Sequence, residues 1–259
     1  MATRKLYSKG VGIFGALGKG HLNDSVQFEE IICPGMDNVR KVAAGWGHSA
    51  VTTEQGELLI FGRPYDFQSI MRLNSIYNVF KPMGRFVSNL TPKFGDNSGV
   101  FDTPVLVSSN NLVDPVENAY VSGGLTGMIT RGGDVLVFGQ NRWGQCAVPN
   151  KTHNHVYNPV KVDLPDAAVS MDIGLQHCVV ATNSGEVYCW GKGVRGQLGN
   201  GDVESTYIPV LSNKNMSSKV KSVSAGFNHS VAVCADGSAY VWGKGMSNEL
   251  KPNTSRLGM

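Results

Sequence analysis

The chain has 259 residues, 41% of them hydrophobic and 17% charged, with a formal net charge of +3. That length supports a sizeable core in one or two domains. No run of eighteen apolar residues is present, so no membrane-spanning helix is expected, and so mild a charge leaves room for a local basic patch but not for a broad nucleic-acid surface.

Taken in chain order, the first element is a glycine-dense loop, Gly10-Val11-Gly12-Ile13-Phe14-Gly15-Ala16-Leu17-Gly18. Next comes the phrase Gly45-Trp46-Gly47-His48-Ser49, which opens a hairpin over Ser49–Phe61 turning at Gln55-Gly56. Short β-branched and aromatic runs separated by Gly, Asn or Ser read as paired strands. Residues 63–100 break the pattern and are read as an insertion. Within it, Asp66 to Phe80 is expected to be helical, with Phe67, Ile70, Leu73, Tyr77 and Phe80 forming one apolar stripe. A degenerate copy of the phrase, Gly124-Leu125-Thr126-Gly127-Met128, precedes a hairpin over Met128–Phe138 turning at Gly132-Gly133.

The clearest unit runs from Val169 to Val210. Gly174-Leu175-Gln176-His177-Cys178 leads into a hairpin turning at Asn183-Ser184-Gly185 and ending at Trp190. The loop from Gly191 to Asp202 follows, and Pro209-Val210 starts the next short segment, as Pro104-Val105 and Pro159-Val160 do earlier. The last unit has Gly226-Phe227-Asn228-His229-Ser230, a hairpin turning at Asp236-Gly237, and Trp242-Gly243. Beyond Gly245 the loop loses the glycine and glutamine seen at Gly196 and Gln197.

The glycine that closes each second strand falls at Gly10, Gly62, Gly139, Gly191 and Gly243. Three of the four intervals are 52 residues and one, containing the insertion, is 77. A fixed period of this length means stacked supersecondary units. The expected fold is all-β, about four and a half repeats, with one helical and basic insertion.

The phrase G-x-x-H-S, a hairpin, W-G-x-G-x-x-G-Q-L-G-x-G-D and then P-V resembles the repeat of the regulator of chromosome condensation family. The resemblance covers nearly all of the chain except residues 63–100. It implies a β-propeller of four-stranded blades, classically seven. Seven units at this period would need about 364 residues. The expectation is therefore a partial or atypical propeller of about four to five blades in a single repeat domain over residues 1–259. It would be a short isoform or truncated product, or have its sheet edges covered by a partner.

Several residues invite a chemical reading. Gly10-x-Gly12-x-x-Gly15 and Gly191-x-Gly193-x-x-Gly196 match the dinucleotide fingerprint, but turn sequence rather than a helix follows each, so no cofactor is assigned. His48, His177 and His229 occupy equivalent repeat positions in different blades and are read as structural, each fixing a turn through backbone hydrogen bonds. Trp190, Trp242, Gly191 and Gly243 are read the same way, and Gly191→Val or His229→Ala is expected to destabilise a blade. His153 and His155 lack a third metal ligand in the sequence pattern. The five cysteines form no C-x-x-C pair and are read as small buried hydrophobes of a reducing compartment. With repeat sequence beginning near Leu6, no signal peptide is read, and the expected location is cytosol or nucleus, or an organelle such as the mitochondrion for a processed form.

The family also includes a plant ultraviolet photoreceptor that uses tryptophans beside arginines in G-W-R-H-T phrases. Here only Trp46 stands in that slot and Gly47 replaces the arginine, which argues against photoreception.

For function, residues 63–94 hold Arg63, Arg72, Lys81, Arg85 and Lys93 against Asp66 alone, a local net charge of +4. With Phe67 and Tyr77, these are the candidate partner-binding residues, suited to an acidic protein partner, RNA or a membrane surface. The alternative is a helix that merely packs over a blade edge. Further rim chemistry lies at Asn150–Asn158 and Asp202–Tyr207. No nucleophile–base pair or phosphate cradle is present in motif context, so the expected role is a non-catalytic interaction scaffold or a subunit of a larger assembly. The resemblance also implies an alternative, guanine-nucleotide exchange on a small GTPase, as the family's founding member performs for Ran on chromatin. The few N-terminal cations, Arg4, Lys5 and Lys9, give chromatin or RNA binding the third place.

Overall fold

The computed structural model describes residues 5–12, 15–32, 38–63, 80–81, 101–107, 112–151, 153–212, 216–244 and 255–257. Among them every regular element is a strand. The first sheet has two strands, β1 (Tyr7–Gly10) and β2 (Ser25–Glu30). The next contains β3 (Val39–Ala44), β4 (His48–Thr53), β5 (Leu58–Gly62), β6 (Phe80–Lys81) and β7 (Phe101–Val107), in the order β3-β4-β5-β7-β6. A four-stranded meander follows, with β8 (Val116–Ser122), β9 (Leu125–Thr130), β10 (Val135–Gln140) and β11 (His155–Lys161). Then come β12 (Ala168–Ile173), β13 (His177–Thr182), β14 (Val187–Gly191) and β15 (Thr206–Leu211). The last sheet holds β16 (Val220–Ala225), β17 (His229–Cys234), β18 (Ala239–Gly243) and β19 (Ser255–Leu257). These are four full blades, numbered one to four below, preceded by a two-stranded half blade.

The chain forms two compact units. One comprises residues 1–126 with 157–159, the other residues 127–156 with 160–259.

Each blade folds for the same local reasons. The hairpin turn needs one residue at positive φ, and Gly56, Gly133, Gly185 and Gly237 supply it at 85°, 85°, 89° and 84°. The strand-closing glycine meets a second demand. At Gly191, φ is 102°, and an added Cβ would lie 2.7 Å from the Gln176 carbonyl oxygen. The register slips just before Gly191, so a bulge aims the following loop away from the sheet. The middle strands β9 and β13 are buried along their whole length, because both faces are covered. That is why β13 reads His-Cys-Val-Val-Ala-Thr rather than alternating apolar and polar.

Two expectations change. The helix read over Asp66–Phe80 lies outside the described residues except at its end, where Phe80 pairs with Val107 in an extended strand. The degenerate phrase is also shifted. Strand β9 starts at Leu125, as β4, β13 and β17 start at their histidines, and Leu125 stands 14 residues before Gly139, as His177 does before Gly191. Leu125 is therefore the histidine slot, and Thr126 the serine slot.

Candidate interaction surfaces

The repeat phrases build locks between neighbouring blades. His177 Nε2 lies 2.9 Å from Ser230 Oγ of the following blade, and His48 Nε2 lies 3.0 Å from Thr126 Oγ1. Ser230 gives its own proton to the Gln197 carbonyl at 3.0 Å, so it accepts from His177, whose Nε2 carries the hydrogen. The partners are side-chain hydroxyls across blades, not the backbone groups expected from the sequence. The opening glycine of the phrase makes room for the ring, because a Cβ on Gly174 would collide with the His177 imidazole. Burial pushes both His48 and His177 down to about 4, and each Nδ1 is buried without a hydrogen-bond partner. Neutral imidazoles satisfy that environment; charged ones do not.

A second lock involves the glutamine loop. Trp190 Nε1 donates to the Gln145 carbonyl at 2.8 Å, and Trp242 Nε1 donates to the Gln197 carbonyl at 2.9 Å. The side chains of the same glutamines close their own loops, with Gln197 Oε1 accepting from Arg195 N and Gln145 Oε1 from Trp143 N. The half blade keeps the serine counterpart of this contact without the glutamine, since Ser49 Oγ donates to the Ala16 carbonyl at 3.1 Å as Ser230 does to that of Gln197. The glycines of Gly191-x-Gly193-x-x-Gly196 serve this loop too. A Cβ on Gly193 would strike the Glu204 carbonyl, and Gly196 and Gly199 close successive turns. Strand approach, not a pyrophosphate, accounts for that spacing.

Cys146, Cys178, Cys189 and Cys234 are all buried free thiols. Burial raises Cys146 and Cys178 and pushes Cys189 up to about 12, so these sulfurs pack as uncharged groups. Among the described residues no group of three His, Cys, Asp or Glu side chains could hold a metal ion.

The basic insertion is mostly outside the described residues, as are Phe67, Arg72, Tyr77, Arg85 and Lys93. Arg63 is half-buried at the end of β5, where its N–H donates to the Gly47 carbonyl, and Lys81 lies in β6. The signal that sequence reasoning missed is the second position of the histidine phrase. Trp46 is 84% exposed and Phe227 65%. The equivalent Leu175 is half-buried beside Gln176, whose Oε1 accepts from Lys192 Nζ at 2.7 Å. That lysine also stacks 4.7 Å from the Trp143 ring. Position two presents an aromatic ring to water in the Trp46 and Phe227 phrases, while position four is buried at His48 and His177 and half-buried at His229.

Blades of this build, tied by histidine–hydroxyl and indole–carbonyl bonds, define a β-propeller-type repeat protein. The chain belongs to the family described as the regulator of chromosome condensation (RCC1) repeat. Two models of that repeat match, one over residues 132–181 and 184–233, the other over 39–68, 168–197 and 220–248.

Among curated proteins it is 26% identical over 261 residues to the secretion-regulating guanine nucleotide exchange factor of Bos taurus, covering 97% of this chain and 51% of that protein. It is 26% identical over 242 residues to the ultraviolet-B receptor UVR8 of Arabidopsis thaliana, covering 92% and 49%. The chain thus spans about half the length of these relatives. Among solved structures, human WBSCR16 matches with a TM-score of 0.74 at 18% identity, over 98% of this chain and 62% of that one. At that identity the likeness speaks for the fold.

Proposed function

We propose that the chain is a non-catalytic protein-interaction scaffold, or a subunit of a larger assembly, built on RCC1-type blades. The observation that carries this reading is a division of labour within one phrase. In the Gly45–Ser49 phrase the buried His48 reaches Thr126 of the next blade while Trp46 is exposed, and Phe227 is exposed at the same position of the last phrase; such aromatic side chains are enriched at binding hot spots. The basic insertion, with Arg63, Arg72, Lys81 and Arg85, offers such a partner an electrostatic complement. The test is affinity capture of the tagged chain from native lysate, with size-exclusion chromatography and mass spectrometry of the eluate. A stoichiometric complex lost on Trp46→Ala with Phe227→Ala supports the scaffold. Capture of the same partners by the double variant counts against the rim.

A second reading is regulation of a small GTPase by nucleotide exchange. It draws support from the relative named as a secretion-regulating guanine nucleotide exchange factor. Exchange needs no reacting side chain, only a surface that binds the nucleotide-free GTPase better than the loaded one. Acceleration of fluorescent-GDP release from a panel of purified small GTPases is its direct assay.

A further inference from the structure

Blades three and four and the β10–β11 loop of blade two meet at one end of their sheets. Trp190 and Trp242 each reach the carbonyl of the glutamine in the preceding loop. A Cβ on Gly174 would lie 2.7 Å from the Gly226 carbonyl oxygen, so the two phrase loops touch. Lys192 N donates to the Gln176 carbonyl and Lys244 N to that of Asn228, which sets each lysine beside its phrase. All of these residues belong to one compact unit.

Charge is divided unevenly between the two ends of these sheets. This end carries Arg142, Lys151, Lys192, Arg195 and Lys244 against Asp202 and Glu204, a net charge of +3. The described residues of the opposite end carry Asp134, Asp163, Asp166, Glu186 and Asp236 against Arg131, Lys161 and Lys219, a net charge of −2. There Lys161 is neutralised by Asp134 at 2.7 Å. Among the described residues, none of Arg142, Lys192, Arg195 and Lys244 makes an ion pair.

Lys192 shows how such a cation is held. Its Nζ donates to Gln176 Oε1 at 2.7 Å and lies 4.7 Å from the centre of the Trp143 ring. An ammonium has three N–H donors, so two remain for a ligand. Arg195 stands four residues after its strand-closing glycine, as Trp143 does in blade two. The place beside Lys244 is therefore filled by a second cation and not by a ring. Neighbouring like charges repel, and an anion relieves them. On the same loops Phe227 is 65% exposed and Val194 46%.

We infer that this end of blades three and four binds an acidic protein segment. Its carboxylates meet Lys192, Arg195 and Lys244, and an apolar side chain lies against Phe227. The inference rests on the interaction-surface reading above and names the partner's chemistry. A nucleic-acid strand fits less well. Its backbone carries one charge every ~3.4 Å and runs on past Asp202 and Glu204. The Trp143 face on which a base would stack is already taken by Lys192. A short acidic segment ends before those carboxylates.

The experiment titrates the full chain into a fluorescein-labelled peptide of about ten Asp and Glu around a central Leu-Phe pair, read by anisotropy. Saturable binding that weakens as salt rises is expected. Arg195→Glu with Lys244→Glu should weaken it at least about tenfold, and Arg195→Gln with Lys244→Gln by a smaller factor. Lys219→Glu, at the opposite end, should leave it within about twofold, with Tm unchanged in all three variants. No saturable binding by the parent, or equal affinity of the parent and the reversed chain, overturns the inference. Tighter binding of a single-stranded RNA of equal charge, lost on the same reversal, reassigns the surface to nucleic acid and overturns it too. Lysate capture judges the scaffold reading separately. A complex that forms and survives the reversal overturns the acidic-segment inference alone, whereas reversal-sensitive peptide binding without any complex supports it and counts against the scaffold.

Discussion

His177 shows how one residue sets a pH dependence. Its ring is neutral in the folded protein, held near 4 by burial, whereas the unfolded chain protonates it near 6.5. His48 behaves alike. A folded pKa below the unfolded one means that the unfolded state binds more protons in between. The stabilisation is therefore complete above pH 6.5 and lost as pH falls towards 4, by roughly 3 kcal/mol for each histidine at full effect. Thermal unfolding between pH 7.5 and 4.5 should show Tm falling through that window; a flat profile would contradict the buried neutral rings. His229 is only half-buried, and no hydrogen bond ties its ring to a described residue. His229→Ala should then cost under about 1 kcal/mol, well below His177→Ala at about 2–4 kcal/mol. This revises the larger loss expected from sequence.

Glycines divide in the same way. Gly174→Ala drives a methyl into the His177 ring and should cost about 2 kcal/mol or more. Gly201→Ala, at φ 88° with open space around it, should cost only the backbone term of about 1 kcal/mol. Urea denaturation of the two variants separates a collision from a conformational preference.

At the scale of the element, the blade hairpin is plain in the sequence because its turn glycines and strand-closing glycines answer to local geometry. The locks are not. Nothing in the phrase itself says that His177 reaches Ser230, 53 residues away, instead of its own backbone. The frame of the second blade is hidden for a related reason. Leu125 and Cys178 stand where other blades have histidine and serine, and in the second blade the histidine marker is missing altogether. Phe61 and Phe138 occupy the tryptophan slot without an indole N–H, so the slot accepts a phenyl ring. Trp242→Phe should therefore keep the blade and lose only the bond to the Gln197 carbonyl, about 1 kcal/mol by chemical denaturation. A loss above about 3 kcal/mol would mean that the indole fills space a phenyl ring cannot.

At the scale of the whole molecule, the repeat period by itself implies stacked blades, and the family match agrees. Function is less legible. The locks consume His48, His177, Trp190 and Trp242, the described cysteines are buried, and the exposed aromatic slot has the same spacing as the structural positions beside it. The candidates for contact with other molecules are the exposed rings of Trp46 and Phe227 and, from the sequence, the basic residues of the insertion. The most direct test of that account is size-exclusion of the native tagged chain from lysate, with mass spectrometry of the peak. The account predicts migration in a stoichiometric complex that Trp46→Ala with Phe227→Ala dissolves while Tm is unchanged. A monomeric chain that instead speeds GDP release from one small GTPase, with both aromatic residues dispensable, would contradict it.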